Sequence, residues 1–364
     1  MPLQAGIAGL PNVGKSTLFN AITAAGAETA NYPFCTIDPN VAVVEVPDRR
    51  LGVLFDLMKP RRAVPTAFEF VDIAGLVRGA SKGEGLGNQF LSHIREVDAI
   101  IEVVRCFEDE EVVRVPGTGD PLEDIETVNL EFVLADYAAI ERRLEKTIKA
   151  ARGDRALEPE VDFQRHLLGV LEEGQSASKA PRGEREERLL AGYQLLTSKP
   201  MLYVCNVSED AMPEGAGLPA VARVREFASS QGAEVVVVSA KVESEIAALE
   251  EPDKSEFLRD LGLEESGLDR MIHAAYGLLG LGTFFTGNEK EVHAWTFHRG
   301  WKAPRCAGQV HTDFEKNFIR AEVASFDDVV ACGGVHGARE AGKLRIEGKD
   351  YVMQDGDVCF FRAG

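Results

Sequence analysis

The stretch GLPNVGKS, residues 9–16, decides the fold of this chain because it matches the pattern G-x-x-x-x-G-K-[ST] in full. It follows a short apolar run at residues 4–7 and precedes a helical pattern that opens at Thr17. A strand, a glycine-rich loop and a helix in this order form the context that a phosphate-binding P-loop requires. The glycines let backbone N–H groups turn toward phosphate oxygens, and the helix N-terminus adds positive potential. The stretch therefore predicts a nucleotide site.

Several side chains of this loop have predicted roles. We expect Lys15 to reach the β- and γ-phosphates and to take part in catalysis, and the Ser16 hydroxyl to bind one Mg²⁺ per nucleotide. The other predicted nucleotide contacts of the loop and the helix start are Asn12, Val13, Gly14 and Thr17.

Two further segments match the switches of nucleotide-sensing P-loop proteins. The motif DIAG, residues 72–75, ends the apolar run at residues 67–71. Asp72 would hold a water on Mg²⁺, and the Gly75 N–H would meet the γ-phosphate. Thr36 lies in a loop between the first predicted helix and the second predicted strand, where its hydroxyl would be the second protein ligand of Mg²⁺. The order of these segments predicts a switch-type nucleotidase.

The residue after this motif is Leu76. Ras-type enzymes carry a water-orienting glutamine at that place, and leucine cannot hydrogen-bond water. We therefore expect slow hydrolysis, or another group or ion that positions the water and supplies charge. The glycine-rich residues 79–87 predict a mobile second switch.

The base-reading segment is expected after the fifth strand, at NVSE, residues 206–209. A GTPase would have Asn-Lys-x-Asp here, and its aspartate would accept the N1–H and N2–H₂ donors of guanine. Glu209 is one methylene longer, and Val207 replaces the lysine. Adenine needs a backbone carbonyl for N6 and an N–H for N1, which Asn206 and the Val207 backbone are expected to supply. We therefore expect ATP to be favoured, or at least the preference for GTP to be lost.

A supporting base contact is predicted after the sixth strand. The residues Ser239 and Ala240 begin the sequence Ser-Ala-Lys, and their backbone would pass beside the base.

Composition limits the class of protein. The chain has 364 residues, enough for two or three domains, and it contains no apolar run long enough to span a membrane. Its six cysteines are scattered, so we expect reduced thiols and a cytoplasmic protein. The net charge of −19 would repel a polyanion if it were evenly spread, but basic residues are concentrated within 141–155, so RNA binding is possible through local patches. We expect no DNA partner.

The distribution of patterns predicts an α/β fold, a P-loop NTPase with a Ras-like G domain. Short apolar runs between helical segments are typical of βαβ units and a largely parallel sheet. The runs are residues 4–7, 41–46, 67–71, 99–106, 201–205 and 235–238. The predicted boundaries are residues 1–125 and 199–280 for the two parts of the G domain, 126–198 for a helical insertion, and 281–364 for a C-terminal module.

The insertion and the C-terminal module are less defined by their patterns. Apolar residues from 130 to 148 recur at helical spacing, which fits either a projecting antiparallel arm or a plain helical subdomain. The C-terminal module is β-rich with one short helix expected, and Asp355-Gly356 between apolar residues predicts a hairpin.

These motifs together resemble the YchF subfamily of Obg-type translation-factor ATPases. The stretches that carry the resemblance are residues 9–21, 31–40, 72–91, 206–209 and 311–323. The resemblance implies a discontinuous G domain, a coiled-coil insertion and a C-terminal TGS module with a ubiquitin-like β-grasp fold. It also implies Mg²⁺-dependent ATP hydrolysis at the β–γ bond and binding to the ribosome or its large subunit. We further expect rRNA contacts, weaker binding of GTP, and a monomer.

One position departs from the family pattern. Family members carry a histidine on the loop after the fourth strand, proposed to assist hydrolysis, and alignment places Arg114 there. Arginine cannot act as a base at neutral pH, but it can stabilise transition-state charge; a solvated loop charge is the other reading. Asn12 suggests a second source of charge, since an asparagine at this place helps to bind K⁺ in related G proteins.

Three alternatives to the predicted ATPase stay open. The first is a GTP-preferring Obg-like GTPase, and the second is a nucleotide-sensing module with negligible turnover. The third is an RNA-facing scaffold whose insertion and C-terminal module contact the RNA.

Overall fold

Two six-stranded sheets organise the residues that the computed structural model describes, which are 3–27, 40–73, 95–109 and 119–364. The chain divides into two compact units. Unit 1 comprises Met1–Val43 and Glu69–Met271, and unit 2 comprises Val44–Phe68 and Ile272–Gly364. The sequence placed residues 44–68 in the G domain, whereas the structure groups them with the C-terminal residues.

The strands and helices have the following bounds. The strands are β1 (Gln4–Ala8), β2 (Val41–Glu45), β3 (Arg62–Val64), β4 (Ala67–Asp72), β5 (Ala99–Arg105), β6 (Met201–Asn206), β7 (Glu234–Val238), β8 (Leu281–Gly287), β9 (Glu291–His298), β10 (Phe318–Ser325), β11 (Arg345–Glu347) and β12 (Asp357–Ala363). The helices are α1 (Lys15–Ala27), α2 (Arg49–Met58), α3 (Pro121–Ala151), α4 (Glu158–Glu172), α5 (Glu184–Tyr193), α6 (Pro219–Gln231), α7 (Ala240–Ile246), α8 (Glu251–Asp260), α9 (Gly267–Leu278), α10 (Ala303–Val310), α11 (Thr312–Lys316), α12 (Phe326–Ala331) and α13 (Val335–Glu340).

The first sheet has the strand order β2-β4-β1-β5-β6-β7. Strand β1 pairs in parallel with β4 and β5, β5 pairs in parallel with β6, and β6 with β7. Every residue of β5 is buried, as expected for a strand covered on both faces. All six predicted strands are present, so the α/β prediction is confirmed. The carboxyl ends of β1, β4, β6 and β7 lead into the predicted site segments, which therefore meet at one edge of the sheet.

The helical insertion begins five residues before the predicted boundary. Helix α3 starts at Pro121, and the Asp120 side chain accepts a hydrogen bond from the Leu122 N–H at 3.0 Å. Helices α3, α4 and α5 share one apolar cluster that includes Ile140, Leu167 and Leu190. The coiled-coil arm stays a prediction.

A buried carboxylate joins the two ends of the insertion. Asp136 of α3 is fully buried and accepts hydrogen bonds from the N–H groups of Leu196 and Thr197 at 3.0 and 2.8 Å. The Thr197 hydroxyl donates to the same carboxylate at 2.9 Å. The segment that leaves the insertion is thereby fixed against its first helix.

The second sheet has the order β11-β10-β12-β8-β9-β3. Its central strands β12 and β8 are parallel, whereas β8 pairs antiparallel with β9 and β10 pairs antiparallel with both β11 and β12. Strand β3 was not predicted, and it pairs in parallel with β9 from far along the chain. Four short helices, α10 to α13, lie in this module where one was expected. Its assignment as a TGS β-grasp module stays a prediction.

The predicted hairpin at Asp355-Gly356 is wrong. The turn forms, but Val352 before it bridges Lys302, and β12 after it pairs with β10 and β8. The turn is held by Thr283 of β8, whose N–H donates to the Asp355 carboxylate at 2.9 Å and whose carbonyl accepts from the Gly356 N–H at 2.8 Å. Contacts with a distant strand therefore override the local hairpin preference.

Two expectations from composition concern membrane-spanning helices and thiols. None of their helices is both long and apolar enough to cross a membrane. The five cysteines among them are free thiols.

The first sheet contains a buried carboxylic acid whose titration we expect to affect the free energy of unfolding. Glu102 in β5 is 1% exposed, and its Oε2 has no hydrogen-bond partner among the described residues. Burial, and then the nearby charge of Asp124, raises the pKa of Glu102 well above its ordinary value of 4.5. The folded protein therefore binds this proton more tightly than the unfolded chain does.

We expect Glu102→Gln to gain stability over the wild type as pH rises above 4.5. The wild type loses free energy of unfolding in that range, because the unfolded chain releases the proton first, and the variant has no such proton. The gain should grow by about 1.4 kcal/mol for each pH unit between 4.5 and the raised pKa of Glu102. Thermal unfolding from pH 4 to pH 9 measures it, with the exposed Glu234→Gln as control. A difference that does not change with pH would contradict this prediction.

Candidate nucleotide site

The loop after β1 has the backbone that a phosphate cradle needs. Gly9 and Gly14 have φ of +154° and +94°, and Asn12 has φ of 62°, in the left-handed region that asparagine tolerates. A Cβ on Gly9 would lie 2.7 Å from the Val103 carbonyl oxygen, and one on Gly14 would meet the Asn206 side-chain nitrogen. Both glycines are therefore required by conformation and by space.

Helix α1 begins at Lys15 directly after this loop. Its first turn has no acidic residue, so the positive end of the helix is not neutralised from within. The side chains of Ser16 and Thr17 are exposed there, and the Leu18 N–H donates to the Gly14 carbonyl at 3.0 Å. This geometry fits the predicted phosphate contacts.

Lys15 and Asp72 form an ion pair across two neighbouring strand ends. Asp72 is the last residue of β4, opposite Ile7 of β1, so the pairing of these two parallel strands places its carboxylate beside the loop. Lys15 is only 8% exposed. The pair holds a cation and a carboxylate at the place where phosphate and metal are expected.

The residues present fit Mg²⁺ as far as they are described. The Ser16 hydroxyl and the Asp72 carboxylate are hard oxygen donors, which Mg²⁺ prefers. Thr36, Gly75 and Arg114, as well as Leu76 and residues 79–87, lie outside the described residues, so their predicted roles stay predictions.

Asn206 connects three of the loops at this edge of the sheet. Its side-chain Nδ2 donates to the Val13 carbonyl at 2.9 Å, and its Oδ1 accepts from the Ala240 N–H at 2.9 Å. The residue is 4% exposed, so these are buried hydrogen bonds. A side-chain amide has two N–H donors, of which the contact with Val13 uses one. The predicted contacts Asn206, Val13, Gly14 and Ala240 are thus brought together.

Val207 differs from its predicted role. Its N–H donates to the Val238 carbonyl at 2.8 Å, so this donor is already used and adenine N1 needs another. Its side chain is 2% exposed and belongs to an apolar cluster that includes Val237 and Tyr203. The valine therefore has a packing role that the comparison with Asn-Lys-x-Asp did not reveal.

Glu209 is paired with a residue that was not among the predicted site residues. The Lys241 Nζ donates to its Oε1 at 2.7 Å, and the two side chains are 64% and 42% exposed for lysine and glutamate. The pKa of Lys241 is raised, chiefly by its hydrogen bond to the Glu209 carboxylate. The sequence signal for this ion pair was the lysine of Ser-Ala-Lys. Strands β6 and β7 are neighbours, so the residues that follow them must lie close together.

Ser239 is fully buried at the start of α7. Its Oγ has no hydrogen-bond partner among the described residues. A buried hydroxyl without a partner costs free energy, which a bound base or an ordered water beside it would recover. The predicted role of Ser239, a backbone contact beside the base, stays a prediction.

Comparison with known families gives two matches along the chain. Residues 4–131 match the family described as "50S ribosome-binding GTPase", and residues 281–364 match the family YchF-GTPase_C, described as "Protein of unknown function (DUF933)".

Comparison with individual proteins gives relatives of full length. The chain is 57% identical to "Ribosome-binding ATPase YchF" of Bacillus subtilis, with 100% of this chain and 99% of the relative covered. It is 50% identical to the protein of the same name from Escherichia coli O157:H7, with 99% of each covered. The solved structure of the Schizosaccharomyces pombe YchF GTPase is 37% identical, covers 99% of this chain and 97% of its own, and superposes with a TM-score of 0.87.

We expect Asn206→Ala to weaken nucleotide binding about tenfold or more, because the loop and α7 lose their common anchor. Two buried hydrogen bonds are removed, so stability should also fall by about 2 kcal/mol. Titration with a fluorescent ATP analogue and thermal unfolding measure the two effects.

Gln164→Ala is the matched control. Gln164 is also fully buried, and its amide donates to Glu160 and to the Tyr193 hydroxyl within the insertion. It should cost similar stability and leave nucleotide affinity unchanged. Equal affinity losses in the two variants would show that Asn206 acts through stability alone.

Proposed function

The chain belongs to the YchF family, and from this premise we propose that it is a nucleotide hydrolase that prefers ATP to GTP and binds the ribosome. The observation that carries the ATP preference is the base segment. Glu209 replaces the aspartate that reads guanine in GTPases, and Lys241 engages its carboxylate. Relatives with 50% and 57% identity over the full chain bear the name ribosome-binding ATPase.

The proposed reaction is attack of water on the γ-phosphorus of ATP, with cleavage of the bond to the β-phosphate oxygen and release of phosphate and ADP. Lys15 would leave Asp72 to bind the β- and γ-phosphate oxygens, and the N–H groups of residues 12–17 would hold the phosphates in place. Ser16 and Thr36 would ligate Mg²⁺, with Asp72 holding one of its waters. When bound, Mg²⁺ supplies positive charge to the phosphate oxygens. The Gly75 N–H would orient the γ-phosphate.

Turnover is proposed to be slow because Leu76 cannot orient the attacking water. Additional charge is proposed to come from Arg114, as an internal arginine finger, or from K⁺ bound with the help of Asn12. Asn12 is exposed and has a left-handed backbone within the loop, which supports K⁺ as the second source of charge. Equal hydrolysis rates in K⁺ and Na⁺ would exclude K⁺ as the source of charge. An unchanged hydrolysis rate in Arg114→Ala would exclude the arginine finger.

The proposed partner is the ribosome or its large subunit, with contacts to rRNA, and the protein is proposed to act as a cytoplasmic monomer. Exposed basic residues near the end of α3, such as Lys146 and Lys149, support contacts with phosphates. A surface pocket of about 560 Å³ in the insertion is lined by three arginines and two acids, which are Arg152, Arg155, Arg165, Glu158 and Asp162. Cosedimentation with purified large subunits at rising salt concentration measures this contact.

We expect the wild type to bind Mg²⁺-ATP analogues more tightly than Mg²⁺-GTP analogues in equilibrium titrations. Glu209→Asp should narrow this preference, because the shorter side chain returns the carboxylate to the position that reads guanine. Lys15→Ala should abolish hydrolysis, since it removes the contact to the transferred phosphate.

Three outcomes would contradict the proposal. Tighter binding of GTP by the wild type would make the chain a GTPase of the Obg type. Equal turnover in the wild type and Lys15→Ala would mean that the observed hydrolysis is not its own. No cosedimentation at low salt would remove the ribosome as partner.

A further inference from the structure

The ion pair between Glu209 and Lys241 lies at the place where the base is expected to be read. Glu209 opens the short turn Glu209–Ala211 after β6, and Lys241 is the second residue of α7 after β7. These strands are parallel neighbours, with Asn206 opposite Val238. The Ala240 N–H next to Lys241 is bound by the Asn206 side chain, so both partners of the ion pair extend from anchored backbone.

Lys241 has an excess of negative charge around it. Besides Glu209, the carboxylates of Glu245 and Asp210 also raise its pKa. The lysine is therefore a permanent cation at neutral pH, and only Glu209 among these three forms a hydrogen bond with it in the described residues. The carboxylate of Glu209 is thus partly neutralised by the chain itself.

The two purines make opposite demands on such a carboxylate. Guanine presents N1–H and N2–H₂, which a free carboxylate accepts. Adenine presents the lone pair of N1 and has no amino group at C2, so an unpaired carboxylate facing it would repel it. A carboxylate that already accepts from an ammonium group attracts guanine less and repels adenine less.

We propose that Lys241 is a positioning residue that biases the site against guanine by holding the Glu209 carboxylate in an ion pair. This role rests on the proposed nucleotide function, and it adds a determinant of base selectivity outside the NVSE motif. The effect is expected to be modest, because both side chains are largely in water. It is measurable as a ratio of two affinities, since the contacts to phosphate and ribose are common to both nucleotides and cancel.

The test is titration of the full-length protein with the Mg²⁺ complexes of the imido analogues of ATP and GTP. In Lys241→Met, the ratio of the dissociation constant for GTP to that for ATP should fall about two- to fivefold, the range that exposed ion pairs span. Lys241→Arg, which keeps the positive charge, should restore the wild-type ratio.

Lys302→Met is the matched control. Lys302 forms an ion pair with Asp350 at the same distance of 2.7 Å, and its side chain is 55% exposed, but it lies in unit 2. Its removal should leave the ratio unchanged. A similar fall in Lys302→Met would show that the change is a general effect of charge and would overturn the proposal.

A second pair of variants tests whether Lys241 acts through Glu209. In a Glu209→Gln background, Lys241→Met should have no further effect on the ratio, whereas an undiminished effect would overturn the proposed route. An unchanged ratio of the two dissociation constants in Lys241→Met alone would also overturn the proposed role of Lys241. The wild-type ratio separately tests the ATP preference, so failure of that proposal and failure of this one are distinguishable.

Discussion

The buried amide of Asn206 is the contact on which the geometry of the nucleotide site depends. It donates to the Val13 carbonyl and accepts from the Ala240 N–H, so one side chain sets the distance between the loops that follow β1, β6 and β7. The same side chain excludes a Cβ at Gly14. Gly14 therefore cannot gain a side chain while Asn206, more than 190 residues away in sequence, keeps its place.

Among the described residues, the site contains an internal ion pair at each end. At the phosphate end, Lys15 pairs with Asp72, and at the base end, Lys241 pairs with Glu209. The two pairs differ in their surroundings. The first is largely buried, where charges interact strongly and an unpaired partner is costly, whereas the second is exposed and weakly coupled. In the proposed function, binding of the triphosphate would replace the contact of Lys15 with Asp72 by a contact with phosphate, while selection of the base would depend on small differences in free energy.

Sequence motifs and apolar runs correctly predicted the elements whose structure depends on nearby residues. The P-loop and the six strands of the first sheet follow from motifs and apolar runs that a parallel sheet requires, whereas Asn206 was predicted only as a contact to the base, not as the link between Val13 and Ala240. Strand β3 was missed because its partner β9 lies far along the chain, and the hairpin at Asp355-Gly356 failed because Thr283 captures the turn. The use of the Val207 N–H and the pairing of Lys241 depend on contacts between neighbouring strands, which no single motif contains. Thr36, Gly75 and Arg114 stay predictions.

The composition of unit 2 from two distant segments has a consequence for the order of events during synthesis. Residues 44–68 contribute α2 and β3, but β9, the partner of β3, is made more than 200 residues later, as the pairing of Arg62 with Glu291 shows. Loops of this length delay folding, because their closure entropy precedes the contacts that repay it. Residues 44–68 therefore stay without their partner strands until the C-terminal strands of unit 2 have been synthesised. A chain that ends before those strands cannot complete unit 2.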